Sequence, residues 1–256
     1  MAKKKKFSWG KRVARLLVIL AILAAIAFFV SRVLFAPSFI HYRAFGISIP
    51  ANYELHGIDV SRHQQTISWE DVQRMQVEDI RLKFAFIKAT EGIGSVDEQF
   101  RRNWLYAQRA GMVRGAYHFF IATKSGKAQA KNFISTVQLK PGDLPPVLDV
   151  EQTYGASAKV VQKEMQEWLT LVENKWNVMP IIYTNVDFYN RILAGKFDQY
   201  PLWVAHYLVK DKPRIKRDWS FWQHNETGHV NGISSFVDFN VFNGDSLAFE
   251  EMRIRQ

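Results

Sequence analysis

Four acidic residues stand inside otherwise apolar stretches, where a charge is expensive to bury. Asp59 lies in Gly57-Ile58-Asp59-Val60-Ser61, and Asp149 and Glu151 lie in Val147-Leu148-Asp149-Val150-Glu151. Asp238 opens Asp238-Phe239-Asn240-Val241. Side chains two apart on a strand point to one side, so Asp149 and Glu151 share a face. Crowded carboxylates push one pKa upward, so one group keeps a proton to donate while its neighbour stays charged. Cleaving a glycosidic bond needs that division of labour. Any one of these acids alone could as well cap a loop or pair with a base. The set of four at such positions points to a site.

Strands must carry these residues. Short apolar runs rich in β-branched and aromatic residues recur at 57–61, 84–90, 114–120, 146–151, 180–185, 202–207, 220–223 and 237–242. They suit parallel strands buried on both faces. Helices fit between the early ones. Ser68-Trp69-Glu70-Asp71 opens a short helix with Ser68 as N-cap. Asp97 to Arg109 is amphipathic and stops at Gly111. Lys124 to Val137, Ala156 to Trp176 and Asn185 to Leu193 are helical, the last ended by Gly195. The first five strands are followed by helices and the last three are not. The predicted class is α/β: an irregular TIM-like (β/α)5(β)3 barrel, preceded by one transmembrane helix. An open doubly wound sheet is the alternative. In barrels, function gathers at the C-terminal ends of strands.

The net charge of +10 is unevenly placed. Eight of the 34 Lys and Arg, and none of the 24 Asp and Glu, fall in residues 1–36. The body is therefore close to neutral, which argues against a nucleic-acid partner. The absence of cysteine excludes disulfides and thiolate chemistry. After the basic cluster, Leu16 to Val30 is an apolar run with Val33, Leu34 and Phe35 beyond it. At about 1.5 Å per residue, 13–35 could cross a hydrocarbon layer of roughly 30 Å. The expected order is a cytoplasmic basic tail (1–12), a transmembrane signal-anchor helix (13–35), a linker (36–51), the barrel (52–249) and a C-terminal tail (250–256). The basic flank predicts a single pass with the body outside the cytoplasmic membrane. Secretion after cleavage at Ala25-Ile26-Ala27 is the alternative.

The motifs also form an ordered set. Gly57-Ile58-Asp59-Val60-Ser61-Arg62-His63-Gln64 comes first, with Ile67-Ser68-Trp69 behind it. Then come Phe86-Ile87-Lys88-Ala89-Thr90-Glu91-Gly92, Gly115-Ala116-Tyr117-His118-Phe119 and Leu148-Asp149-Val150-Glu151. Tyr183-Thr184-Asn185, Leu202-Trp203-Val204-Ala205, Trp222-Gln223 and Val237-Asp238-Phe239-Asn240 complete it. Together they resemble glycoside hydrolase family 25, lysozymes that cut the β-1,4 bond between N-acetylmuramic acid and N-acetylglucosamine. The resemblance covers about residues 55–245. It implies a barrel of eight strands and five helices. It implies Glu151 as general acid, Asp149 orienting or stabilising the substrate's acetamido group, and Asp59 and Asp238 holding the charge network and the sugar. The outcome it implies is substrate-assisted and retaining, with a direct nucleophile or an inverting water as alternatives.

Tyr117, Tyr183, Trp203, Gln223 and Asn240 are expected to bind sugar, because aromatic faces stack on rings and amides bond hydroxyls. Core packing is the competing role for the aromatics, and the preferred one for Trp222. His206, His224 and His229 match no common metal spacing, so neither a metal nor another cofactor is expected. Gly92-Ile93-Gly94 reads as a turn. The expected partners are peptidoglycan strands and a membrane, with the protein a monomer at the bacterial cytoplasmic membrane. A non-catalytic peptidoglycan-binding module and a hydrolase of another N-acetylated polysaccharide such as chitin are the rival functions.

Overall fold

The computed structural model describes residues 9–34, 38–209 and 211–255, and within the first stretch the side chains of 9–10 and 13–28. Most of the expected basic tail (1–12) and part of the linker thus lie outside the described residues. The chain divides into two units, one up to Ser38 and one from Phe39 onward. In the first, α1 (Trp9–Leu34) is a continuous helix. Its side chains from Leu16 to Phe28 are largely exposed. No helix among the described residues is long and apolar enough to cross a membrane. The crossing expected over 13–35 is therefore not shown by the described residues.

In the second unit, an antiparallel hairpin comes first, β1 (Phe39–Tyr42) with β2 (Ile47–Pro50). This corrects the expected linker at 36–51. Ile47 and Ile49 alternate inward, and Phe39 and Phe45 pack edge-on against Trp222 and Phe239. Prolines and the lack of a clear period hid a strand pair held by tertiary contacts.

The remaining strands are β3 (His56–Val60), β4 (Gln76–Val77), β5 (Ile80–Glu91), β6 (Ser95–Val96), β7 (Val113–Phe119) and β8 (Val147–Asp149), followed by β9 (Ile181–Asn185), β10 (Leu202–Ala205), β11 (Phe221–Gly228) and β12 (Val237–Phe242). β4 and β6 are short hairpin partners of β5. The other eight close a barrel in the order β3, β5, β7, β8, β9, β10, β11, β12 and back to β3. Neighbours run parallel except where β12 meets β11 and β3. The reversed last strand matters for the site. It brings the start of β12 to the C-terminal end of β3, with Asp238 opposite Asp59.

Helices α2 (Trp69–Arg74), α3 (Phe100–Arg109), α4 (Gly126–Thr136) and α5 (Ala158–Trp176) follow the first four barrel strands. α6 (Val186–Phe188) continues into a π-helical turn over Tyr189–Leu193 after the fifth. The expected tail at 250–256 is also corrected. α7 (Ser246–Met252) follows the barrel, and its Phe249 packs on Phe84 and Phe242. Apolar and aromatic side chains fill the interior, with Phe86 stacked on Trp203 at 4.3 Å. Gly57 makes this filling fit: a Cβ there would lie 2.4 Å from the Phe84 ring. Above the aromatic floor the barrel opens at the C-terminal strand ends.

Candidate active site

A cavity of about 420 Å³ occupies that mouth, and all four acids line it. Asp59 is the penultimate residue of β3, and its carboxylate is clamped. Oδ2 accepts from Gln223 Nε2 and from Asn240 Nδ2, each at 2.8 Å. Burial pushes the Asp59 carboxyl up to about 6, against the pull of these donors and of Asp238. Asp238 lies at the cavity edge. Burial first, then the charges of Asp59 and Glu226, push it up to about 9. It therefore keeps its proton at neutral pH and donates it to Asp59.

Asp149 ends β8, with Glu151 two residues on. Burial raises the Asp149 carboxyl well above the usual carboxylate range, and the charge of Glu151 adds to this. Glu151 is raised too, by burial and then by Asp59, and less so because Asp149 and Asn185 hydrogen-bond to it. The pair thus shares a proton, with Asp149 the more strongly raised of the two. Asp149 Oδ1 has no hydrogen-bond partner. The arrangement can donate a proton from one carboxyl and hold positive charge with the other.

Tyr117, Tyr183, Trp203 and Gln223 line the cavity as well, each largely buried. Tyr183 donates to Gln223 Oε1 at 2.7 Å, and the Tyr207 hydroxyl donates to the same oxygen. Gln223 is thereby fixed with its amide NH2 toward Asp59. Asn240 departs from the expected sugar contact. It is fully buried, accepts from Trp203 Nε1 at 2.8 Å and supports Asp59 from behind the cavity wall. Trp222 faces away into the core and donates to the His206 backbone oxygen at 2.9 Å.

Among the cavity residues missed in the sequence are Lys88, Tyr207 and Glu226. Two were within reach. Lys88 follows Phe84 and Phe86 at intervals of two, and Tyr207 follows Trp203 and Ala205 in the same way, so alternation puts both inside. Lys88 pairs with Glu91 at 2.7 Å and draws the Asp149 pKa down. Glu226 was out of reach. Alternation from Gln223 would turn it outward, but irregular pairing between β11 and β12 shifts the register after Gln223.

Comparison with known proteins agrees with this geometry. The family model for glycosyl hydrolases family 25 matches residues 58–233. An uncharacterized protein, YegX, of Escherichia coli O6:H1 is 47% identical, over 85% of this chain and 82% of its own length. Lysozyme M1 of Streptomyces globisporus is 36% identical, over 75% of this chain and 69% of its own. Among solved structures, a family 25 glycosyl hydrolase from Bacillus anthracis superposes with a TM-score of 0.72 at 34% identity, covering 79% of this chain and 95% of that one. The bacterial lysozyme from Streptomyces coelicolor gives 0.70 at 33% identity, covering 78% and 97%.

Proposed function

Because the chain belongs to glycosyl hydrolases family 25, we propose that its barrel mouth cuts peptidoglycan at the β-1,4 bond between N-acetylmuramic acid and N-acetylglucosamine. It is a glycoside hydrolase of the lysozyme type. The observation that carries the mechanism is the proton-sharing pair Asp149 and Glu151, with Asp149 Oδ1 unpartnered. A substrate acetamido N–H donating to Asp149 favours its charged form, so the shared proton moves to Glu151. Glu151 then protonates the glycosidic oxygen as the C–O bond breaks. The acetamido carbonyl oxygen attacks the anomeric carbon, and Asp149 balances the positive charge on its nitrogen. Water next adds at the anomeric carbon and returns a proton to Glu151. The hydrogen bond within this pair supports the retaining course, because an inverting pair stands roughly 6.5–9.5 Å apart to hold its water. Asp59 and Asp238 hold the opposite wall, with Tyr117, Tyr183, Trp203 and Gln223 as sugar contacts.

The test is digestion of purified peptidoglycan by the full chain and by Glu151→Gln, reading new reducing ends by mass spectrometry. Muramic-acid ends from the wild type alone are expected, with Glu151→Gln slower by about 10²–10⁴-fold. N-acetylglucosamine ends, or equal cleavage by both proteins, would overturn the assignment. Binding to the wall without cleavage would mark a binding module.

For placement, the proposal is a monomer carried by its N-terminal helix at the outer face of a bacterial cytoplasmic membrane. Two features support it. Basic residues precede the apolar run, and apolar side chains from Leu16 to Phe28 are exposed around the helix. Fractionation with N-terminal sequencing checks it, and a soluble form beginning within 26–37 would overturn it.

A further inference from the structure

A second cavity, of about 540 Å³, adjoins the cleft and shares Tyr207 and Glu226 with it as a common wall. Its size falls within the ~300–1,000 Å³ of small-ligand pockets. The hairpin β1–β2 forms the facing wall through Phe39, Ile47 and Ser48. This hairpin precedes the residues that the family model matches. It is also held firmly in place. Phe39 and Phe45 pack on Trp222 and Phe239, and the His229 backbone N–H donates to the Phe45 carbonyl at 2.9 Å.

The lining has a definite chemistry. Phe39 and Ile47 offer an apolar side, while Ser48, Asn225 and Thr227 offer neutral polar groups. Asn225 Oδ1 already accepts from the Thr227 backbone N–H at 2.7 Å and its hydroxyl at 3.1 Å, leaving the amide NH2 as donor. Glu226 is the one carboxylate, and no Lys or Arg lines the cavity among the described residues. His41 and the buried His224 also line it, so an acidic peptide meets imidazoles but neither lysine nor arginine among the described residues. An N-acetylated sugar fits better, with its ring C–H face and acetamido methyl on the apolar side and its hydroxyls on the amide.

We propose that this cavity is a distal subsite for an N-acetylated sugar of the same glycan strand, beyond the units held in the cleft. The inference rests on the muramidase reading above. A strand leaving the cleft passes Tyr207, whose hydroxyl also donates to the glutamine that holds Asp59. The subsite therefore makes the enzyme prefer longer strands.

The test uses the full chain and glycan fragments of two lengths, each with and without its peptides, one filling only the cleft and one extending past it. kcat/KM is measured for the wild type and for Ser48→Trp and Thr227→Trp, which fill the cavity from two sides at exposed positions. The ratio of long to short should fall about tenfold in both variants, through KM. An unchanged ratio with an active wild type overturns the subsite and leaves the muramidase reading standing. A fall confined to peptide-bearing strands also overturns it and gives the cavity to peptide. A wild type that cleaves nothing overturns the muramidase reading instead. Calorimetric binding of the long fragment by Glu151→Gln then decides the subsite: weaker binding with Ser48→Trp added supports it, and equal binding overturns it.

Discussion

Asp59 shows how a buried charge is made tolerable one donor at a time. Its Oδ2 takes two amide hydrogens, and each amide is itself held by an aromatic group: Gln223 by Tyr183, Asn240 by Trp203. Asn240→Ala removes a donor to Asp59 and the acceptor of the Trp203 indole together. The expected cost is about 1–3 kcal/mol for each buried group left unmet, read from urea denaturation. The same change removes a pull that keeps the Asp59 pKa down near about 6. If the ionised form of Asp59 is needed for catalysis, the acid limb of kcat/KM should move to higher pH. A limb that stays in place while stability falls would mean that Asp59 does not govern it. Much of this scale was legible. Charged residues in apolar runs marked Asp59, Asp149, Glu151 and Asp238, and all four meet at one cavity. The supporting role of Asn240 was not legible, because residue type does not say whether an amide faces ligand or a neighbouring carboxylate. Glu226 was hidden by the shifted register in β11.

The elements succeed where local pattern and tertiary packing agree. All eight barrel strands sit at the expected apolar runs, because strands buried on both faces leave a strong mark in composition. Gly111 and Gly195 do take positive φ where helices were expected to end. Ser68 does stand at the N-cap of α2, but its hydroxyl donates to Asp71 at 2.6 Å instead of accepting from the backbone. The hairpin at 39–50 and α7 were unread because long-range contacts hold them. The reversed direction of β12 was equally invisible, since periodicity carries no direction. The contact between α4 and α5 offers a sharp test of packing at this scale. Gly126 begins α4 and donates its N–H to Glu164 Oε2 at 2.7 Å. A Cβ at Gly126 would lie 1.8 Å from the Glu164 backbone oxygen. Gly126→Ala must therefore push the two helices apart, at a cost of about 1–3 kcal/mol or more. The denaturation midpoint should drop while the folded fraction cleaves at the wild-type rate, since neither helix lines the active-site cavity. An unshifted midpoint would show that the helices separate without penalty.

Over the whole molecule, the buried ionisable groups form two sets with opposite effects on stability. Burial lowers His56 to about 4, and His118 and His224 to about 3. In the unfolded chain they take up protons near pH ~6.5. Below that pH the unfolded state binds protons that the native state refuses, so stability is lost as pH falls toward their folded values. The acids act in reverse. Asp59 and Asp238 are raised to about 6 and about 9, and Asp149 is raised well above the carboxylate range. The unfolded chain releases these protons near pH ~4 while the native site keeps them. Their stabilisation is complete below that pH and is lost as pH rises through the folded values. Between about pH 4.5 and 6.5 the two sets oppose each other and should leave a plateau. Above it the histidines are silent and the acids alone set the slope, while below it the histidines do. Melting temperature measured from acid to alkaline pH should therefore fall on both sides of a mildly acidic optimum. Asp238→Asn separates the limbs. Asparagine still offers Asp59 a donor, but it carries no titrating proton. It should remove at most about 1.4 kcal/mol of lost stability per pH unit from the alkaline limb, less whatever solvent at the cavity edge screens. The acid limb should stay where it is, because His56, His118 and His224 are untouched. An alkaline limb unchanged in Asp238→Asn would place the retained proton on Asp149, and so nearer the reacting bond.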